Sequence, residues 1–113
     1  MITKKLIYPF LTLVLFLCVS FQTDKKTESF KVYGNCEMCK ETIEGALKKK
    51  DGVSKKSWDT KSRILEVTYD PSKITLIQIK QKVSAAGYDT DDTKAPDEVY
   101  NNLHSCCQYK RPD

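Results

Sequence analysis

With 113 residues, the chain carries one histidine, His104, and only four glycines and four prolines. A lone imidazole excludes paired-histidine sites. The sequence also contains no Ser-His-Asp arrangement and no glycine-rich loop to cradle phosphate. Nothing points to a hydrolase or transferase, and the chain reads as a non-enzyme. Nor is charge of one sign abundant: 19 Lys and Arg against 15 Asp and Glu leave +4. That balance is too small for a nucleic-acid footprint. Lys48-Lys49-Lys50 is offset by Glu41, Glu44 and Asp51 and reads as a solvated helix end, where the dipole favours cations. Asp89, Asp91 and Asp92 miss the regular spacing of a calcium loop and read as a solvated turn. Repeats and low-complexity segments are absent.

Long apolar runs are equally scarce. The one present, Leu6 to Val19, covers roughly 14 residues, short for a membrane span, and Pro9 interrupts it. Lys4 and Lys5 precede it and Cys18-Val19-Ser20 follows, so residues 1–20 read as a signal peptide cleaved after Ser20, or as a retained N-terminal anchor. Cys18 has a second reading as a lipidated cysteine. The expected location is therefore outside the cytoplasm: exported, periplasmic or membrane-anchored facing the periplasm, with membrane contact only through this segment. Loss of Lys4 and Lys5 lowers the net charge from +4 to +2. What remains is about 90 residues, enough for one small domain.

Four cysteines then remain: Cys36, Cys39, Cys106 and Cys107. An even count in an exported chain usually signals disulfides. Two close pairs at opposite ends of a domain make a poor disulfide framework and a good pair of ligand clusters. Cys36-Glu37-Met38-Cys39 sits at the predicted start of a helix, where the positive end of the dipole favours thiolate. Thiolate binds soft metals and also attacks disulfides, so both chemistries stay open on these residues alone.

Hydrophobic periodicity orders the elements. Residues 21–28 are polar and read as a linker. Phe30-Lys31-Val32-Tyr33 alternates as a strand with Phe30 and Val32 inward, and Gly34-Asn35 breaks it. From Cys39 a helix is expected, with Ile43 and Leu47 on one face, ending at Asp51-Gly52. Val53 to Trp58 and Arg63 to Tyr69 form a hairpin, with Leu65, Val67 and Tyr69 on one side. Leu76, Ile79, Val83 and Ala86 recur at helical spacing, and Gly87 caps that helix. Tyr88 to Thr90 adds a short final strand. The expected class is α+β, a ferredoxin-like βαββαβ sandwich over residues 29–93. Residues 94–113 add a short C-terminal helix, begun by Pro96 and its acids and reaching about Leu103, then the Cys-Cys tail.

Gly34-Asn35-Cys36-Glu37-Met38-Cys39, Asp51-Gly52-Val53, Val67-Thr68-Tyr69-Asp70-Pro71 and Ala86-Gly87-Tyr88-Asp89 follow one another in the order seen in the heavy-metal-associated domain family. Over Ser29 to Thr90 the chain resembles that family, which includes copper chaperones, metal-binding modules of copper-pumping ATPases and periplasmic mercury-binding proteins. The resemblance implies Cys36 and Cys39 as ligands of a soft ion. Cu(I) is the first choice, with Zn(II), Hg(II) and Cd(II) as further thiophilic candidates. It implies as partner a metal-transport ATPase or another metal-binding protein, and hand-off by ligand exchange. Tyr88 falls in the loop near the metal, where it either shields the site or packs as a core aromatic. Gly34 stands where the family often has Met. Met38, inside the loop, reads as a packing residue or a thioether neighbour of the ion. Lys55-Lys56 occupies strand positions that are usually apolar.

The tail adds His104, Cys106 and Cys107 as possible further ligands, two thiols and an imidazole within four positions. His104 on its own reads first as a helix C-terminal residue and second as a ligand. Adjacent thiols cannot easily face one ion without a distorted turn. A tail folded back over the sheet brings three or four sulfurs together, favouring retention over fast hand-off. Two other functions compete: an exported thiol-disulfide oxidoreductase with Cys36 as nucleophile and Cys39 resolving, and an interaction domain whose cysteines staple the tail.

Overall fold

The computed structural model describes residues 24–113. The expected signal segment 1–20, with Cys18, lies outside the described residues. Three strands form one antiparallel sheet, β1 (Lys26–Lys31), β2 (Val53–Trp58) and β3 (Ile64–Tyr69), in the order β1-β3-β2. Helices α1 (Glu37–Gly45) and α2 (Leu76–Ala85) supply the crossovers, and α3 (Asp97–Asn101) begins the tail. This is the α+β ferredoxin-like arrangement, with its fourth strand reduced to one antiparallel bridge between Val32 and Thr90. The expected Tyr88–Thr90 strand is therefore a single contact. Asp89 nevertheless accepts the Tyr33 amide at 2.9 Å, which keeps the segment against the sheet edge.

One boundary is corrected. Strand β1 begins at Lys26, within the segment read as linker, because Lys26 to Ser29 pairs with Tyr69 to Glu66. Backbone pairing tolerates polar side chains wherever the outer face meets water, as at Thr27 and Thr68, whose hydroxyls bond at 2.9 Å.

Alternation places Phe30, Leu65, Val67 and Tyr69 on the buried face, and Ile43, Leu47, Ile79 and Val83 close over it from the helices. Each such side chain contributes about 1.5–3 kcal/mol of burial. Helix α2 is started by Thr75, whose hydroxyl accepts from the Gln78 amide while the Gln78 side chain accepts from the Thr75 amide. Gly87 follows α2 at φ +112°, a left-handed conformation that reverses the chain toward the site.

Strand β2 explains its own lysines. The register shifts between Val53 and Lys55, a bulge that leaves Lys55 exposed. Lys56 is half-buried and donates to the carbonyl of Leu47, just past the end of α1. Trp58 closes the strand with 1% exposure, its indole N–H donating to the Val32 carbonyl at 3.0 Å. The acids after α2 are also more than a solvated turn. Asp91 and Asp92 hold the buried Lys80 ammonium at 3.1 and 2.5 Å, and Asp89 is itself buried.

Candidate metal centre

The loop between β1 and α1 sets out the thiols. Cys36 occupies the N-cap of α1 in extended conformation, so its side chain leaves the helix at the dipole's positive end, while Cys39 points inward one turn later. Their sulfurs are 3.5 Å apart, Cys36 half-buried and Cys39 fully buried. The Asn35 amide reaches Cys39 Sγ at 3.4 Å. Helix α1 is fixed in place by Glu44, whose carboxylate accepts from the Trp58 amide at 2.9 Å and from Lys40 at 2.7 Å. Lys40 also donates to the Trp58 carbonyl at 2.8 Å.

Trp58 and Gly34 form the floor of the loop. A Cβ at Gly34 would lie 3.0 Å from two ring carbons of Trp58 and 3.3 Å from Cys39 Cβ. The indole thus fills the space that a side chain at position 34 would need. Gly34 permits that close approach.

The tail arrives from the other side. After α3, a single 3-10 turn at Ser105–Cys107 carries Cys106 outward and Cys107 into the core. Cys107 Sγ lies 3.9 Å from Cys36 Sγ and 3.8 Å from Cys106 Sγ. Cys36, Cys106 and Cys107 offer three sulfurs within 4.8 Å of one another, a compact group that one ion can span. All four thiols are free. The short turn is what lets neighbouring cysteines reach one place. Met38, read as a packing residue or a neighbour of the ion, is 45% exposed rather than core, and its Sδ is 3.8 Å from Cys106 Sγ. His104 is exposed at the start of the turn, beyond α3 rather than in it, and stands outside the three-sulfur group.

Electrostatics separates the thiols. Backbone N–H donation from Cys39, opposed by partial desolvation and aided by the Cys39 side chain and the Met38 amide, lowers the Cys36 pKa to about 7. Burial first, then the Cys39 side chain, raises Cys107 to about 12. Cys36 is therefore partly thiolate at neutral pH and Cys107 is held as thiol until something cationic arrives.

Tyr88 is fully buried beside these sulfurs, and its hydroxyl has no hydrogen-bond partner. Burial, then the thiols of Cys107 and Cys39, pushes the phenol far above its usual range. Its ring stacks on Tyr109 at 5.7 Å. Tyr109 escaped the sequence reading, yet it seats the tail: its hydroxyl donates to the Gly87 carbonyl at 2.9 Å and accepts from the Asp89 amide at 2.8 Å. Arg111 was also missed. Its guanidinium binds Asp89, Asp97 and the Ala95 carbonyl and lies 4.7 Å over the Tyr100 ring. The recoverable signal was Tyr109-x-Arg111 directly after the cysteines, aromatic and cationic anchors on an otherwise polar tail.

The family model of the heavy-metal-associated domain matches residues 30–89. A zinc-transporting ATPase of Synechocystis sp. is 37% identical over 71 residues, 62% of this chain but 10% of that protein. Copper chaperone CopZ of Staphylococcus saprophyticus is 36% identical over 64 residues, 56% of this chain and 94% of the chaperone. The mercuric transport protein periplasmic component of Shewanella putrefaciens is 41% identical over 54 residues, 48% of this chain and 59% of that protein. The chain thus spans about a tenth of the ATPase and under two thirds of the mercuric protein. Among solved structures, a CopZ metallochaperone superimposes with a TM-score of 0.55 at 33% identity, covering 57% of this chain and 98% of the chaperone.

Proposed function

The chain belongs to the heavy-metal-associated domain family, and from that premise we propose that it binds a soft heavy-metal ion, Cu(I) fitting best, through Cys36 and Cys39 and delivers it to a metal-transport partner. The observation that carries this is the Cys36–Cys39 pair: 3.5 Å between sulfurs, one thiol half-open at the helix N-terminus, the other anchored inside. Thiolates select soft ions, whereas Zn(II) completes a shell of four N or S donors. The relatives' names span zinc, copper and mercury. Zn(II), Hg(II) and Cd(II) are therefore the competing cargoes. The domain is a binding module, not an enzyme.

The exposed face of Cys36 is where an acceptor thiolate attacks the bound ion, so that it passes through a shared coordination shell without becoming free. The acceptor on this reading is a metal-transport ATPase or a second metal-binding domain. Residues 1–20 support action outside the cytoplasm, after export or on a retained anchor. The test is metal analysis and thiol counting on protein isolated anaerobically without reductant. Soft metal bound with the thiols reduced supports the proposal. Metal-free protein with an oxidised Cys36–Cys39 pair that turns over dithiol substrates replaces it with the oxidoreductase reading.

A further inference from the structure

We infer that the C-terminal turn completes the metal centre: Cys106 and Cys107 join the loop cysteines, so that Cu(I) is held by at least three thiolates rather than two. The inference rests on the soft-metal reading above and goes beyond the two-cysteine loop. Cys36 belongs to two overlapping groups, the pair with Cys39 at 3.5 Å and the triangle with Cys106 and Cys107 inside 4.8 Å. With a metal–sulfur bond of roughly 2.3 Å, three thiolates around one ion stand about 4.0 Å apart and four about 3.8 Å, while two on a line stand about 4.6 Å apart. The Cys106–Cys107 and Cys36–Cys107 separations of 3.8 and 3.9 Å fit the higher coordination numbers, and the Cys36–Cys39 pair is closer still at 3.5 Å.

Three independent features say that this proximity is built. First, the turn is bolted down at both sides: Tyr109 bonds Gly87 and Asp89, Tyr100 bonds the Tyr109 carbonyl at 2.5 Å, and Arg111 grips the buried Asp89. Second, the loop reaches for the turn, since Asn35 Nδ2 and Cys36 Sγ both approach the Cys106 carbonyl, at 3.5 and 3.6 Å. Third, the fully buried Tyr88 hydroxyl makes no well-formed hydrogen bond, and the groups facing it are the sulfurs of Cys107 and Cys39. A buried donor without an acceptor is costly. Converting a neighbouring thiol to a metal-bound thiolate supplies an acceptor, the proton leaving with the exchange. Met38 Sδ, next to Cys106, adds a soft thioether on the solvent side.

X-ray absorption at the copper edge, on the full chain loaded anaerobically with one equivalent of Cu(I), counts the sulfurs. Three are expected in the wild type and two in Cys106→Ser/Cys107→Ser, with affinity weaker on the order of tenfold or more in competition with a chromophoric Cu(I) chelator. Cys106→Ser alone alters only an exposed side chain and is expected to show an intermediate affinity, separating ligation from any packing change at buried Cys107. Two sulfurs in the wild type, with affinity unchanged in both variants, overturns the inference. If Cys36→Ser/Cys39→Ser then abolishes binding, the loop reading stands without the tail. A wild type that binds no Cu(I) overturns the loop reading itself.

Discussion

Arg111 donates from Nε and Nη2 to the two carboxylate oxygens of Asp89, each at 2.8 Å, and so ties the end of the chain to the loop that follows α2. Asp89 is 1% exposed and also accepts the Ala95 amide at 2.7 Å. Removing the cation leaves a buried carboxylate uncompensated. Arg111→Ala is expected to cost about 3 kcal/mol in denaturant unfolding. It should also open Cys107 to alkylation under native conditions, since the tail carrying it loses its anchor. Protection of Cys107 equal to wild type would show that the aromatic contacts hold the tail unaided.

The same pair makes stability depend on pH. Burial raises the Asp89 pKa, but the Arg111 bonds and the Ala95 amide outweigh it and hold the carboxyl below its ordinary 3.8. A carboxyl more acidic in the folded chain than in the unfolded one stabilises the fold fully above the unfolded value. The contribution fades as pH falls through the native value. Urea midpoints should therefore drop below about pH 4, and Asp89→Asn, already weaker at neutrality, should drop less. Parallel profiles for the two proteins would remove Asp89 from the acid transition.

Gly34 and Trp58 share one volume. Gly34→Ala presses a methyl group to within 3.0 Å of a ring that is buried and held by its bond to Val32. Overpacking of this kind costs about 1–3 kcal/mol. Trp58→Ala, which empties the space, is expected to cost about 3–5 kcal/mol. Thermal unfolding of both single variants and of the double variant checks the coupling: if they share the volume, the double costs less than the two singles together.

Tyr88→Phe removes a buried hydroxyl that makes no well-formed hydrogen bond. The apo protein should be as stable as wild type or slightly more so, because no hydrogen bond is lost. Cu(I) affinity should fall about tenfold, the scale typical of groups that hydrogen-bond metal ligands. A drop in apo stability with unchanged affinity would make Tyr88 a packing residue only.

The elements with strict period were legible before any coordinates. Phe30 and Val32, Leu65, Val67 and Tyr69, Ile43 and Leu47, and Ile79 and Val83 are all buried as their spacing demands. Local chemistry carries such elements, so local sequence reports them. The loop cysteines were legible for the same reason, both lying within one helical turn. The start of β1 was not, because its polar residues gain their strand from pairing with β3 rather than from burial. Nor was the seating of the tail, which depends on residues 22 positions apart, Asp89 with Arg111 and Gly87 with Tyr109. Lys55 was misleading because a bulge, invisible in alternation, turns it outward.

Anaerobic titration of Cu(I) against a chromophoric chelator, comparing wild type with Cys36→Ser/Cys39→Ser, tests metal binding at the loop most directly. Wild type is expected to take Cu(I) from the chelator, and the double variant to lose that ability while keeping its fold by circular dichroism. Equal competition by both proteins, or none by either, would contradict it.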